Sequence, residues 1–321
     1  MPIIEPAGYT RRPWYLPSNH LETMIPSMFF KVKDVQPRRE RLELPDGDFI
    51  DLDWHGDDPN RLVIITHGLE GNSDRHYVQR PARLFVENDW SAIAWNCRSC
   101  SGEMNRLPRF YHHGDTPDLS AVIDHAVAKG FQTIVLMGLS MGGSMSLKYL
   151  GEARERPEQV KGAMTFSVPC SLKDSAVQIK AKGNRLYEKR FLEKLKKKIA
   201  LKSEVHDELD ATGLEQIHDF DEFHERYTVP LHGFDSLEDF YVKATCDQFF
   251  PDMRYPVLIG NALNDPMLGP DCYPTKIARD SPYVHLEMPA LGGHVGFTIP
   301  GEDYSWMDYR ALEFAQQHLM S

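Results

Sequence analysis

The sequence predicts an α/β fold in which helices flank a mostly parallel central sheet. Apolar strand patterns alternate with helical patterns between residues 62 and 168, and the alternation resumes after residue 254. Strands that alternate with helices form right-handed crossovers and a buried parallel sheet. At residues 133–150 a strand, a sharp turn and a helix follow one another around the sequence Gly-Leu-Ser-Met-Gly, a turn that belongs at the end of a strand in such a sheet.

The size and composition of the chain fit one large core with an insertion. Its 321 residues exceed the usual length of a single domain. Hydrophobic residues make up 41% and aromatic residues 11% of the chain, which is enough to build a core and argues against disorder. The net charge of −11 argues against binding to nucleic acid, because phosphate affinity comes from clustered lysine and arginine.

The cysteines and the N-terminus predict a protein of a reducing compartment, the cytoplasm. The five cysteines are an odd number and are scattered through the chain, unlike a disulfide framework. Residues 1–17 contain no apolar signal segment, and no apolar run reaches the roughly 18 residues that a membrane span needs. We therefore expect no transmembrane segment.

Residues 1–37 are rich in proline and predict an irregular segment that packs on the core. An amphipathic patch within this segment consists of Leu21, Met24, Ile25, Met28, Phe29 and Phe30. We expect the patch to pack against the body of the protein. Contact with a membrane surface is the less favoured alternative.

The predicted core comprises residues 38–170 and 254–321. A β-hairpin comes first, because residues 40–44 and 49–54 alternate apolar with polar residues around the turn sequence Pro-Asp-Gly-Asp. Apolar strand patterns follow at 62–66, 92–95, the segment before Ser140, 162–168, 257–260 and 284–288. Helical patterns lie at 74–87, 117–129, the segment after Ser140, 274–279 and 304–319.

Residues 171–253 interrupt this alternation and predict a helical cap over the strand ends. The segment is charged and helical, and its lysine-rich part, residues 189–202, carries one apolar stripe. The stripe consists of Phe191, Leu192, Leu195 and Ile199. A packed apolar face with a solvated lysine face is favoured over contact with a membrane.

Ser140 is the predicted nucleophile, held at the exposed end of a strand. A G-x-S-x-G turn forces its central serine into a strained backbone conformation and requires small neighbours, which Gly138, Gly142 and Gly143 provide. The helix that follows offers free N–H groups, where negative charge is stabilised. The alternative is a glycine-rich turn that only packs.

Asp265 and His294 are the predicted acid and base that activate the serine. A serine hydroxyl needs a base within hydrogen-bond reach and a third group that orients the base. In sheets of this type the acid and then the histidine follow later strands than the serine does. Asp265 follows the first strand after the insertion, and His294 follows the last strand in a glycine-rich loop. The competing candidates are Asp252, Asp271 and His285, of which His285 would lie within a strand.

The predicted oxyanion hole consists of the backbone N–H groups of Leu69 and Met141. Such donors stabilise the negative charge that develops on a carbonyl oxygen during attack. Met141 directly follows the nucleophile, and Leu69 lies in the loop after the strand at 62–66. His67 in the same loop is expected to support the loop and not to act as a base.

We expect no metal site and no cofactor. Cys97 and Cys100 have C-x-x-C spacing, but no second pair or nearby histidine completes a zinc site. A second cluster could mimic a metal site or an acyltransferase motif, and it comprises His112, His113, Asp115 and Asp118. A polar loop that leads into a helix, with Asp115 or Thr116 as the N-cap, is favoured for this cluster.

A series of motifs runs along nearly the whole chain. It includes NHLETM at 19–24, HGLEGNSDRHY at 67–77, NCRSCSGE at 96–103, YHHGDTPDL at 111–119 and GLSMGGSMSLKYLGE at 138–152. It continues with Tyr187 and Phe191, FDEF at 220–223, GFDSLEDFY at 233–241, NALNDPM at 261–267 and GGHVGF at 292–297. The series resembles the YheT-like α/β-hydrolases, bacterial proteins related to eukaryotic abhydrolase-domain lipases and to yeast ethanol acyltransferases.

The resemblance implies a serine esterase or lipase-like hydrolase with the α/β-hydrolase fold, in which Ser140, Asp265 and His294 occupy the positions of the family triad. Relatives of known activity act on acylglycerols, phospholipids or medium-chain acyl esters, so a small-molecule or lipid-like ester is the expected substrate. Acyl transfer to an alcohol by the same triad is the alternative, and a non-catalytic binding protein is less favoured. Two positions depart from the family pattern: relatives often have an acidic residue at Asn264 and glycine at Ser99.

Overall fold

A computed structural model of the chain describes residues 3–4, 8–33 and 35–320. Residues 1, 2, 5–7 and 34 of the predicted N-terminal segment, and residue 321 of the predicted core, lie outside the described residues. The fold is built on one nine-stranded sheet in the order β1-β9-β8-β7-β6-β4-β5-β3-β2. The strands are β1 (Ile3–Ile4), β2 (Arg38–Glu43), β3 (Phe49–His55), β4 (Arg61–Thr66), β5 (Ser91–Asn96), β6 (Thr133–Leu139), β7 (Val160–Phe166), β8 (Val257–Gly260) and β9 (Val284–Glu287).

The sheet is mostly parallel, as predicted. All neighbouring strands from β1 to β5 in this order are parallel, whereas β3 pairs antiparallel with both β5 and β2. The hairpin of β2 and β3 therefore closes one edge of the sheet, which confirms the expected edge hairpin. Because the remaining strands run in one direction, their carboxyl ends lie along the same edge, where ligand sites of parallel sheets form.

Helices cover both faces of the sheet. They are α1 (Asn19–Phe29), α2 (His76–Val86), α3 (Thr116–Ala128), α4 (Met141–Gly151), α5 (Leu172–Ile179), α6 (Arg185–Ser203), α7 (Phe220–Phe223), α8 (Val229–His232), α9 (Leu237–Ala244), α10 (Thr275–Asp280) and α11 (Trp306–His318). Short 3₁₀ segments occur at Leu214–Gln216, Asp247–Asp252 and Pro270–Cys272, and a π-helix occurs at His224–Thr228. Within the described residues, none of the helices combines the length and apolarity that crossing a membrane requires.

Alternate residues of β4 enter two apolar layers on opposite faces of the sheet. Ile64 belongs to the layer that contains residues of α3 and α4. Val63 and Ile65 belong to the layer that contains residues of α2 and α11. Side chains on a strand alternate between faces, so a strand buried on both sides reads as an unbroken apolar run. This accounts for the sequence of residues 62–66.

The structure corrects the prediction that residues 1–37 are an irregular segment. This part of the chain contains β1 and an 11-residue helix, α1. The hydroxyl of Ser18 caps α1 by accepting a hydrogen bond from the N–H of Leu21. Pro26 lies inside the helix, and because proline removes a backbone donor from a helix interior, the sequence favoured irregular structure.

The face that α1 buries agrees with the prediction only in part. The apolar patch was expected to pack on the core; Met24 packs against the main apolar cluster, whereas Met28 and Phe29 are exposed. The polar side chains of Glu22 and Thr23 are buried instead, with 2% and 6% of their surface exposed. Buried polar groups must be hydrogen-bonded to be stable, so α1 makes specific polar contacts with the body of the protein.

Residues 171–253, the predicted cap, contain α5 to α9 between β7 and β8. The stripe predicted on the lysine-rich helix faces inward: Leu192, Leu195 and Ile199 on α6 are buried in the main apolar cluster, and Phe191 packs against that cluster. A contact joins α6 to the loop after β4, since Lys198 Nζ lies 2.5 Å from Glu70 Oε1. The division of the chain into a core and a cap remains a prediction.

Candidate active site

Ser140 lies in the sharp turn between β6 and α4. Its backbone has φ 56° and ψ −120°, a region that residues with side chains rarely adopt. A methyl group added at Gly138 would overlap the carbonyl of Gly142, and one added at Gly142 would overlap the carbonyl of Thr66. At Gly143 an added Cβ would lie 2.5 Å from Val168 Cγ2. The turn is thus possible only because these three positions are glycine.

The side chains of Ser140, His294 and Asp265 form a hydrogen-bonded chain. His294 Nε2 lies 2.9 Å from Ser140 Oγ. His294 Nδ1 lies 2.8 Å from Asp265 Oδ2 and 3.1 Å from Oδ1. The Asp265 carboxylate is fully buried and also accepts a hydrogen bond from the N–H of Met267. Because an ionised carboxylate only accepts, it favours the imidazole tautomer in which Nδ1 carries the proton and Nε2 is free to accept the serine proton.

The competing acid and base candidates lie elsewhere. Asp252 is an exposed residue of a 3₁₀ segment, and the N–H of the exposed Asp271 donates to the Asp174 carboxylate. His285 lies within β9, where its ring meets the ring of Phe314 edge to face. None of the three belongs to the chain of hydrogen bonds at Ser140.

The loop after β4 runs beside Ser140. A Cβ added at Gly68 would lie 3.2 Å from Ser140 Cβ, a tight contact that glycine avoids where the loop passes the serine. Leu69 lines the same cavity as Ser140 and His294. Within the described residues, the N–H of Leu69 forms no hydrogen bond to a backbone carbonyl, and the N–H of Met141 is the first of α4, where a helix offers no internal acceptor. Both donors are available for a ligand, and their assignment to an oxyanion hole remains a prediction.

His67, a neutral imidazole, links this loop to the segment after β5. Its Nδ1 lies 2.7 Å from the carbonyl oxygen of Gly68, and its Nε2 lies 3.1 Å from the backbone nitrogen of Cys97. The N–H of Cys97 donates to Nε2, so Nδ1 carries the proton and donates to Gly68. Burial lowers the pKa of His67 to about 4. His67 therefore supports the loop, as its sequence position suggests.

Glu70 fixes the same loop from the other side, a role that the sequence did not reveal. Its backbone has φ 53°, and its N–H donates to the Tyr111 hydroxyl. The Tyr111 hydroxyl donates back to Glu70 Oε1, which also pairs with Lys198 on α6. These contacts connect the loop to the segment before α3 and to α6. A movement of α6 would therefore disturb the position of Leu69.

The loop that carries His294 is held by α1. The hydroxyl of Thr23 accepts a hydrogen bond from the N–H of His294 at 2.9 Å and donates to the carbonyl of Asn19 at 2.8 Å. The side chain of Asn264 accepts from the N–H of Gly293 and donates to the Glu22 carboxylate at 2.7 Å. These bonds position the imidazole through its backbone. The only sequence signal for these bonds is the NHLETM motif, and the motif by itself does not predict which residues it contacts.

Asn261 and Ser167 join the strand ends that carry the triad. The Asn261 side chain accepts from the N–H of Val168 and donates to the carbonyls of Val168 and Cys272. The Ser167 hydroxyl accepts from the N–H of Val295, the residue after His294. The carboxyl end of β7 is thus linked to the segments that follow β8 and β9. Sequence analysis did not single out either residue.

Two cavities meet at the triad. One is a cleft of about 700 Å³ and the other a cavity of about 560 Å³, each volume including the opening to solvent. Both are lined by Leu69, Ser140, Phe191, Met267 and His294. The second cavity is otherwise mainly apolar, lined by Pro169, Leu172, Ala176, Ile179 and Phe220 among others. Ser140 therefore lies where two differently shaped spaces join.

The cysteine pair lines neither cavity at Ser140, whereas His113 of the histidine cluster lines the second cavity. Cys97 and Cys100 are buried free thiols, and burial raises the pKa of both. In the second cluster, possible metal-binding atoms of His112, Asp115 and His232 lie within 4.8 Å of one another. Asp115 already pairs with Arg109 at 2.8 Å. The absence of a metal site remains a prediction.

The expected helix cap beside this cluster needs a correction. Asp115 occupies the N-cap position of α3, but its side chain forms no capping hydrogen bond. Thr116 donates to Glu152 and caps nothing. The Asp118 carboxylate accepts hydrogen bonds from Nε and Nη2 of Arg98 and does not bind His113, so the histidine and aspartate of the acyltransferase-like motif are not joined. The planar guanidinium of Arg98 binds both oxygens of the Asp118 carboxylate because their geometries match.

The chain is similar to known hydrolases in sequence and in fold. A family model described as serine aminopeptidase, S33, matches residues 57–268. A protein of Escherichia coli strain K12 named as an esterase, YheT, is 30% identical, with 94% of this chain and 91% of that protein covered. Phospholipase ABHD3 of Mus musculus is 27% identical, with 92% and 75% covered. The Pyrococcus furiosus esterase PF2001 has a TM-score of 0.59 at 14% identity, with 88% and 91% covered, a likeness of fold alone.

Replacing Thr23 with valine tests whether α1 positions His294. Valine keeps the shape but removes the hydroxyl that accepts the His294 N–H, and an unsatisfied buried N–H costs about 1–3 kcal/mol. We expect a fluorophosphonate to label Ser140 about tenfold more slowly in Thr23→Val, with Thr23→Ser restoring most of the rate. Labelling of Thr23→Val at the wild-type rate would show that the hydroxyl does not position the imidazole.

Proposed function

The chain belongs to the α/β-hydrolase family of the matched model and of YheT and is a hydrolase of the carboxylic ester class; we propose that it works through an acyl-enzyme on Ser140. The family and the α/β-hydrolase fold confirm what the sequence motifs implied. The observation that carries the proposal is the continuous chain of hydrogen bonds from Ser140 through His294 to Asp265, at 2.9 and 2.8 Å.

In the proposed reaction, Ser140 Oγ attacks the ester carbonyl while His294 Nε2 takes its proton. Asp265 holds the imidazole and stabilises the imidazolium that forms. The N–H groups of Leu69 and Met141 stabilise the oxyanion of the tetrahedral intermediate. The C–O bond of the ester then breaks, and His294 returns the proton to the departing alcohol. Water, activated by the same imidazole, hydrolyses the acyl-enzyme and releases the acid.

The second cavity is the proposed site of the acyl chain. Its apolar wall comes mainly from α5 and from residues of α6 and α7, and it begins at Ser140. Apolar surface buried against such a wall contributes about 25 cal/mol per Å², so longer acyl chains bind more strongly until the cavity is filled. We propose a medium-chain or lipid-like acyl ester as the substrate.

Ester hydrolysis is favoured over the aminopeptidase activity that the family model's description mentions. An aminopeptidase must bind the ammonium group of its substrate, which calls for a free carboxylate near the nucleophile. Glu70 is the acidic residue that lines the Ser140 cleft, and its carboxylate already pairs with Lys198 and Tyr111. Acyl transfer to an alcohol would use the same triad, and product analysis with ethanol present distinguishes transfer from hydrolysis.

Removal of the nucleophile tests the proposal. Ser140→Ala should lower the hydrolysis of 4-nitrophenyl butanoate on the order of 10³-fold or more, because no covalent intermediate can form. The variant should also lose labelling by a fluorophosphonate. Ser146→Ala, which removes a buried hydroxyl from the same helix, is the matched control and should retain both. Undiminished turnover by a folded Ser140→Ala protein would refute the proposal.

A larger side chain at Ala176 tests the acyl site. Ala176→Phe would fill part of the second cavity, so kcat/KM for a 4-nitrophenyl octanoate should fall at least about tenfold more than kcat/KM for the acetate. Val177 is the next residue of α5 and is 66% exposed, which makes Val177→Phe the control that should leave the ratio unchanged. Equal losses for both esters in Ala176→Phe would mean that the acyl chain binds elsewhere.

A further inference from the structure

The cleft in front of Ser140 is cationic on two sides. On α6, Tyr187, Arg190, Phe191 and Lys194 line the cleft. Their spacing of three and four residues places all of them on one face of the helix. Arg75, at the start of α2, lines the same cleft. Three cationic side chains therefore surround the space beside the nucleophile, in a chain whose net charge is −11.

The acidic residue beside these cations, Glu70, offsets their charge only in part. Within the described residues, Arg75 and Arg190 form no ion pair, and Lys194 Nζ binds a backbone carbonyl, that of Glu70, at 3.0 Å. The Glu70 carboxylate is taken by Lys198 and Tyr111. The positive charge of the cleft thus remains available to a ligand.

Holding these like charges close together costs stability. Arg190 and Lys194 are four residues apart on α6, a spacing at which like charges repel. Burial lowers the pKa of Lys194, and the charge of Arg75 lowers it further. An anion bound between the three side chains would relieve this repulsion. An arrangement that costs stability and lies beside the nucleophile is characteristic of a binding site.

We propose that the alcohol part of the ester substrate carries a negatively charged phosphate or carboxylate group, which Arg75, Arg190 and Lys194 bind in the cleft. The proposal rests on the ester hydrolysis proposed above. Each cavity then binds one part of the substrate: the acyl chain occupies the apolar cavity and the anionic alcohol occupies the cleft. The ester carbonyl lies between them at Ser140, which lines both. Arginine suits this task because its fork binds phosphate and carboxylate oxygens in pairs.

Three soluble butanoyl esters test the charge selection: butanoylglycerol, butanoylglycerol phosphate and the butanoyl ester of glycolate. The acyl group is the same in all three, and the alcohol is neutral, a phosphate or a carboxylate. We expect kcat/KM to be at least about tenfold higher for one or both anionic esters than for the neutral ester. The preference should shrink as salt is raised, because the interaction is between charges.

The variants Arg75→Gln and Arg190→Gln assign the preference to the cleft. Each should reduce the ratio of anionic to neutral kcat/KM about tenfold, as expected for the loss of one charge-assisted hydrogen bond. Lys197→Gln removes an exposed cation from α6 outside the cleft and should keep the wild-type ratio.

The outcomes distinguish this proposal from the one on which it rests. Equal kcat/KM for neutral and anionic esters would overturn the charge selection and leave ester hydrolysis intact. Equal losses for all esters in the arginine variants would assign those side chains a structural role and also overturn it. A preference that appears only with long-chain esters on anionic vesicles would mean that the cations contact a membrane surface instead. If no ester is cleaved and Ser140 is not labelled, ester hydrolysis itself is wrong.

Discussion

The hydrogen bond between His294 Nε2 and Ser140 Oγ joins residues 154 positions apart. It forms only because the surrounding structure positions both side chains. The glycines of the turn let β6 and α4 approach closely enough to display the serine. Asp265 sets the tautomer and direction of the imidazole, while Thr23 holds its backbone. Parallel strands make this possible, because they place the ends of β6, β8 and β9 along one edge of the sheet.

Strands β2 to β9 and the meeting of Ser140, Asp265 and His294 could be predicted because each has a local signal. Ser140 lies in a glycine turn after an apolar run, and Asp265 and His294 follow later runs of the same kind. The contacts around them could not be predicted. Asn264 and Glu22 are 242 residues apart, and Lys198 and Glu70 are 128 apart, so no short pattern records either pair. In α1, the internal Pro26 also concealed the helix that makes one of these contacts.

The segment from 171 to 253 lines both cavities at Ser140. Its helix α5 contributes apolar side chains to one cavity, and α6 contributes cations to the other. The same helix is tied to the loop of Leu69 through the Lys198–Glu70 pair. Substrate binding along α6 would therefore affect the position of Leu69, a predicted oxyanion donor, because the cleft and the loop both depend on the position of this helix. In the proposed reaction, the helix that contributes to substrate selection therefore also supports the loop of Leu69.

The central claim is that Ser140 becomes covalently acylated, and trapping the intermediate tests it most directly. The protein is mixed with 4-nitrophenyl butanoate, quenched in acid within milliseconds and analysed by mass spectrometry after digestion. We expect a burst of 4-nitrophenol equal in amount to the enzyme and one butanoyl group on the peptide that contains Ser140. Steady turnover without an adduct, or with the butanoyl group on another residue, would contradict the acyl-enzyme on Ser140.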